Sequence, residues 1–265
     1  MRQNRHDDIH PIIVSTGPPR VAAKNFGSPY ILLGGFVLLI TLGTMLLSFP
    51  FTNNNNEITP ITVSLFTATS AATVTGLIVV DTASYWTVWG QLIIMILILV
   101  GGLGIMTSAT FLLIIIGQRI TLANRLLMRE SLGVNRLEGL VSLTFRIIMV
   151  VLIMEFIGFV VLFWSLSQHF PSGQAAWQAI FHAISGFNNA GFIIFPHRDG
   201  LSNFQNDFMV LVPLMALIIL GTLSYSVLVD IFRYRRFTRY TLDTKLVVFG
   251  TIALTVLGTV VLLIS

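Results

Sequence analysis

Five stretches of this 265-residue chain are apolar for long enough to cross a lipid bilayer, and they constrain the fold more than any motif does. A spanning helix needs about 20 mostly apolar residues, because the hydrocarbon layer is about 30 Å thick and a helix rises about 1.5 Å per residue. The stretches cover 30–51, 86–117, 140–166, 208–229 and 245–264. The first follows a polar arm and ends without a small-x-small cleavage pattern, so it reads as a retained span and not a signal segment. With 55% hydrophobic and 10% charged residues and a mean hydropathy of +0.87, the chain is neither a disordered segment nor a nucleic-acid module built on basic patches. The cysteine count of zero excludes a disulfide scaffold, a thiolate nucleophile and a cysteine metal site.

Basic residues give an orientation, since loops rich in Lys and Arg stay in the cytoplasm. Arg2, Arg5, Arg20 and Lys24 precede the first span, Arg119, Arg125, Arg129 and Arg136 follow the second, and Arg233, Arg235, Arg236, Arg239 and Lys245 follow the fourth. Those are 13 of the 15 basic residues, and they predict a cytoplasmic N-terminus. Segment 52–85 carries no Lys or Arg and segment 167–207 only Arg198, which suits the outer face.

Both outer segments are too apolar for ordinary loops. After Thr59, expected as a cap, and Pro60, expected at the first helical position, the first predicts a short helix from Ile61 to Ser70 and then a turn ending in Gly76-Leu77. The second predicts a helix from Gln174 to Ser185, followed by Gly186-Phe187-Asn188-Asn189-Ala190-Gly191-Phe192. At an offset of 115, Phe66, Ala68, Ser70 and Gly76 fall on Phe181, Ala183, Ser185 and Gly191. Each following span carries a glycine element, Gly101-Gly102-Leu103-Gly104 and the more polar Gly221-Thr222-Leu223-Ser224, which leads us to expect different helix packing at the second. These features imply an internal repeat of span, half-span loop and span. One period holds two crossings, so both loops dip from the same face and the repeats are parallel.

The expected fold is therefore an all-α membrane protein with repeats around a pseudo-symmetric axis. It has a cytoplasmic arm over 1–29, a first repeat over 30–117, a connector over 118–139, a second repeat over 140–236, and a connector with the first span of an incomplete third repeat over 237–265.

Backbone carbonyls that dip to membrane depth are tolerated only beside protein or water, and around a wet axis they can replace the hydration shell of an alkali cation. The short helix before each turn directs its negative dipole end inward, which favours a cation. This places candidate filter segments at Thr73-Val74-Thr75-Gly76 and Asn188-Asn189-Ala190-Gly191, both uncharged.

Three runs carry a family likeness: 67–77, Gly101-Gly102-Leu103-Gly104 and 181–192. They resemble the Trk/Ktr/HKT potassium transporters, most of all the bacterial Ktr-type membrane subunit. The resemblance implies four such repeats around one pore, with Gly76 and Gly191 as the first two filter glycines. It implies potassium uptake, often dependent on sodium, by a multi-pass protein of the bacterial plasma membrane. It also implies a homodimer seated on a cytosolic ring of nucleotide-binding regulatory subunits. K+, and Na+ where coupled, are transported ions; no bound cofactor and no nucleic acid are expected. Against the family pattern the sequence ends within what would be the first span of a third repeat, which leads us to expect a truncated chain. The alternative is a truncated structural or assembly membrane protein without transport of its own.

Other residues offer less. Glu155 lies mid-span, where an ionised acid costs about 2.5 to 3.5 kcal/mol. It can be a proton or cation site, but a bond to a neighbouring pore helix is the favoured reading. Arg146 is expected to snorkel. His182 has no second ligand at suitable spacing and reads as a buried, hydrogen-bonded histidine. Asp81, Asp199 and Asp207 either concentrate cations at the outer mouth or cap turns. Segment 119–138 reads as an interfacial helix, a partner surface or a solvated connector. The spans hold one carboxylate and no nucleophile paired with a base, so an enzyme is not expected.

Overall fold

A computed structural model describes residues 29–104, 107–108, 140–196, 200–224, 227–228, 230–231 and 237–264. The N-terminal arm and the 118–139 connector lie outside the described residues, as does Arg198-Asp199. The described residues form an all-α fold, with α1 Pro29–Leu47, α2 Ile61–Ala72, α3 Thr82–Tyr85, α4 Val88–Leu103, α5 Leu140–Leu166, α6 Ser172–Phe187, α7 Phe208–Thr222 and α8 Leu242–Ile264.

Among the described residues two helical segments, Ser142–Leu166 and Leu242–Leu262, are long and apolar enough to cross a membrane. By contrast α2 and α6, with 12 and 16 residues, reach only about 18 and 24 Å at 1.5 Å per residue, which is short of a full crossing. Their lengths suit the expected half-span helices, each slightly longer than its pattern predicts.

Two expected spans are interrupted. The stretch 86–117 does not run as one helix: α4 stops at Leu103, where Gly104 takes φ +79° and its N–H bonds to the Gly101 carbonyl at 3.0 Å. Only glycine enters this left-handed region freely. Likewise the stretch 208–229 breaks after Thr222, where Leu223 is extended, and Val227-Leu228 are again helical. Hydropathy is blind to both breaks because apolar residues lie on either side.

The start of α2 also departs from expectation. Pro60, not Thr59, is the N-cap, and no side chain caps the helix. Thr59 is drawn elsewhere, because its hydroxyl accepts from Asn53 Nδ2 at 2.8 Å and its N–H donates to the Ser48 carbonyl at 3.3 Å.

The ends of α1 and α4 are pinned where segment 52–54 meets 85–87. Asn54 N–H donates to the Tyr85 carbonyl, and Thr87 N–H to that of Thr52, each at 2.9 Å around an isolated antiparallel bridge between Asn53 and Trp86. One core cluster joins Leu47, Ala68, Ile94 and Ile98 to Phe181, Ala190 and Phe192, so segments 30–117 and 140–236 share a core. A second cluster packs α5, α6 and α7 around Leu162, Ala179, Phe195 and Leu214. Outward faces are strongly apolar: Leu38 and Met45 of α1, Phe156 and Trp164 of α5 and Phe249 and Leu254 of α8 are all exposed, the pattern of helices whose solvent is lipid.

Candidate ion-filter site

The two short helices end in the same way, residue for residue. In the first, Thr73 N–H donates to the Thr69 carbonyl, Val74 to Ala71 and Thr75 to Ser70, at 2.9, 3.3 and 2.9 Å. In the second, Asn188 donates to Ile184, Asn189 to Gly186 and Ala190 to Ser185, at 3.0, 3.1 and 2.8 Å. Every one of these pairs is related by the offset of 115. Backbone angles repeat as well: Val74 and Asn189 take φ 56° and 57°, and Gly76 and Gly191 take 75° and 71°. Asparagine tolerates the left-handed region, whereas a β-branched valine is an outlier there, so the position is held against local preference. Both residues lie in the expected segments, but their left-handed backbone has no mark in the sequence pattern.

The turns meet. A Cβ built on Gly76 would stand 3.2 Å from the Gly191 Cα and would overlap the Ala190 carbonyl oxygen. From the other side, a Cβ on Gly191 would lie 3.5 Å from the Gly76 Cα. All eight expected residues, Thr73, Val74, Thr75, Gly76, Asn188, Asn189, Ala190 and Gly191, thus belong to two segments in backbone contact. Each follows a helix C-terminus, where the macrodipole is negative.

The glycine elements brace this arrangement in parallel. A Cβ on Gly101 would overlap the carbonyl of Ala72, the last residue of α2, and one on Gly221 would overlap the carbonyl of Phe187, the last residue of α6. Despite its more polar sequence, the second element therefore packs as the first does, because the contact needs only a bare Cα. Serine side chains work inside each loop: Thr75 Oγ1 donates to Ser70 Oγ at 3.2 Å, and Ser185 Oγ donates to the Phe192 carbonyl at 2.8 Å. The α4 and α6 helices are also tied together where Trp177 Nε1 donates to Gln91 Oε1 at 2.6 Å. A glutamine inside an otherwise apolar span was the available signal for that contact.

Glu155 is 6% exposed and accepts a hydrogen bond from Asn188 Nδ2 at 2.8 Å, which is the favoured sequence reading. His182 is buried. Its Nε2 accepts from Ile194 N–H at 3.3 Å, which leaves Nδ1 to donate to the Gln178 carbonyl at 2.7 Å, and its ring stacks on Phe195 with centroids 3.8 Å apart. Asp81 is a cap, accepting from Ser84 N–H at 3.1 Å. Asp207 accepts from Met209 N–H at 2.9 Å and pairs with His169 at 2.6 Å. Arg146 is exposed on α5.

An all-helical fold whose outward helix faces are apolar defines a class, the all-α membrane proteins. The family model described as TrkH, cation transport protein, matches residues 36–264, and the chain belongs to that family. The chain is 38% identical over 231 residues to Ktr system potassium uptake protein B of Bacillus subtilis, covering 86% of this chain and 51% of that one. It is 38% identical over 237 residues to the Ktr system potassium uptake protein B of Vibrio alginolyticus, covering 88% and 51%. With potassium/sodium uptake protein NtpJ of Enterococcus hirae it shares 34% over 242 residues, covering 91% and 53%. The chain thus spans about half the length of the curated relatives it matches.

Proposed function

We propose that this chain supplies two filter segments to a Trk/Ktr-type pore that takes up potassium across the bacterial plasma membrane, with its N-terminus in the cytoplasm. The observation that carries the reading is the contact between the Gly76 and Gly191 turns, each delivered by a half-span helix with the same hydrogen-bond pattern. Carbonyls of Thr73 to Gly76 and of Asn188 to Gly191 replace the water that K+ gives up on entry. Uncharged segments suit a cation that must bind and still leave, and the C-termini of α2 and α6 add negative potential without a fixed carboxylate. The names of the relatives, two from a Ktr system for potassium and one a potassium/sodium uptake protein, support the same cargo. Operation as a homodimer on a cytosolic nucleotide-binding ring, with Na+ coupling, extends the proposal.

The test is uptake by the purified protein in liposomes carrying an inward Na+ gradient or none. Accumulation of rubidium tracer that potassium outcompetes and sodium does not is expected. Vesicles no more permeable than protein-free controls contradict the proposal.

A further inference from the structure

We infer that Glu155 is a positioning residue for the second filter segment, acting through the side-chain amide of Asn188; this rests on the ion-filter reading above. Asn188 is the C-cap of α6 and the first residue of that segment. Both of its amide hydrogens are used: Nδ2 donates to Glu155 Oε1 at 2.8 Å and to the Ile184 carbonyl at 2.9 Å. With the nitrogen held on that side, Oδ1 faces α4, where a Cβ on Gly102 would come within 2.6 Å of Asn188 Cγ. The amide is therefore clamped between an acid on α5 and a bare backbone on α4, one residue ahead of the left-handed turn at Asn189.

The matching place in the first repeat does without this device. Thr73 stands where Asn188 does, and its hydroxyl closes on the Thr69 carbonyl of its own helix at 2.7 Å. The sequence of α1 holds no acid at all. An apolar α1 and an acid-bearing α5 are a departure from the repeat that packing alone does not require, since burying a carboxylate at this depth is costly. A structural reason is at hand beside Asn188: a cavity of about 180 Å³, lined in part by Gly102, Ile147, Asn188, Gly221 and Leu228, into which the amide can swing once its acceptor is gone. Holding Asn188 out of that space fixes where α6 ends, and with it the register of the Asn189 to Gly191 carbonyls.

Three variants of the full chain separate this role from others, with potassium-to-sodium selectivity in liposomes as the readout, normalised to protein content. Glu155→Gln keeps an acceptor at the same reach without the charge, and is expected to stay within about twofold of wild type. Glu155→Asp keeps the carboxyl group but withdraws the acceptor by about one bond length, and Glu155→Leu removes it; both are expected to lower selectivity about fivefold, the effect of losing one ordinary hydrogen bond. If Glu155→Leu fails to accumulate, the Gln and Asp variants decide the matter between them. Aspartate tolerated and glutamine impaired means the ion feels the charge, which overturns the inference, as do three variants all like wild type. A wild-type protein that moves no potassium instead refutes the filter reading itself, before any variant is compared.

Discussion

Gly76 and Gly191, 115 positions apart, lie backbone against backbone, with the Cα of each within 3.2 to 3.5 Å of where the other would place a Cβ. Neither position tolerates a side chain for conformational reasons, since φ is +75° at one and +71° at the other. Space is shorter at Gly76, where the Ala190 carbonyl oxygen is also in the way. The relationship turns two sequence repeats into one composite site, and the other predictions follow from how it is braced.

Gly101→Ala and Gly221→Ala each push a methyl group into the last carbonyl of a short helix, α2 or α6. Each is expected to destabilise the protein by about 1 to 3 kcal/mol, as overpacking does in a tight core. Gly250→Ala and Gly258→Ala on α8 have nothing within 4 Å and should be neutral or stabilising by about 0.5 to 1 kcal/mol, because alanine is the better helix former. Thermal unfolding in one detergent compares all four, and equal effects in the two pairs would contradict the packing described.

Asp207 serves two partners on separate oxygens, Met209 N–H on Oδ1 and His169 on Oδ2. Asp207→Ala removes the cap of α7 and should cost about 1 kcal/mol. His169→Ala leaves that cap in place, removes a partly exposed pair and an edge contact with the Phe204 ring, and should cost less than that. The order of the two melting temperatures checks the assignment, and a larger loss from His169→Ala would reverse it.

Topology is open to direct labelling because the chain has no cysteine of its own. Cysteines placed at Asn55 and Ser202, both exposed, are expected to react with an impermeant maleimide added outside intact cells. Reaction only after the membrane is opened would invert the proposed orientation.

Much of this architecture was legible in the sequence, for definite physical reasons. Spans are long apolar runs, and the half-span helices betray themselves by the offset that sets Ser70 and Gly76 on Ser185 and Gly191. Three things were hidden. The breaks at Gly104 and Leu223 leave no mark in hydropathy, since a helix and its interruption share one composition in lipid. The left-handed Val74 contradicts its own preference and is imposed by tertiary contacts, which no local rule reveals. The equal packing of Gly101 and Gly221 was obscured by the polar neighbours of Gly221, although only a missing Cβ mattered. Glu155 was readable as a residue needing a partner; its partner, 33 positions away, was not.

The central claim, that bare carbonyls of two adjoining turns select the ion, is tested most directly by measuring relative potassium and sodium uptake after Gly76→Ser and Gly191→Ser in the reconstituted protein. Both substitutions should raise relative sodium entry, and Gly76→Ser should do so more, since its side chain meets the Ala190 carbonyl while that of Gly191→Ser meets only a Cα at 3.5 Å. Two well-folded variants with wild-type selectivity would contradict the account.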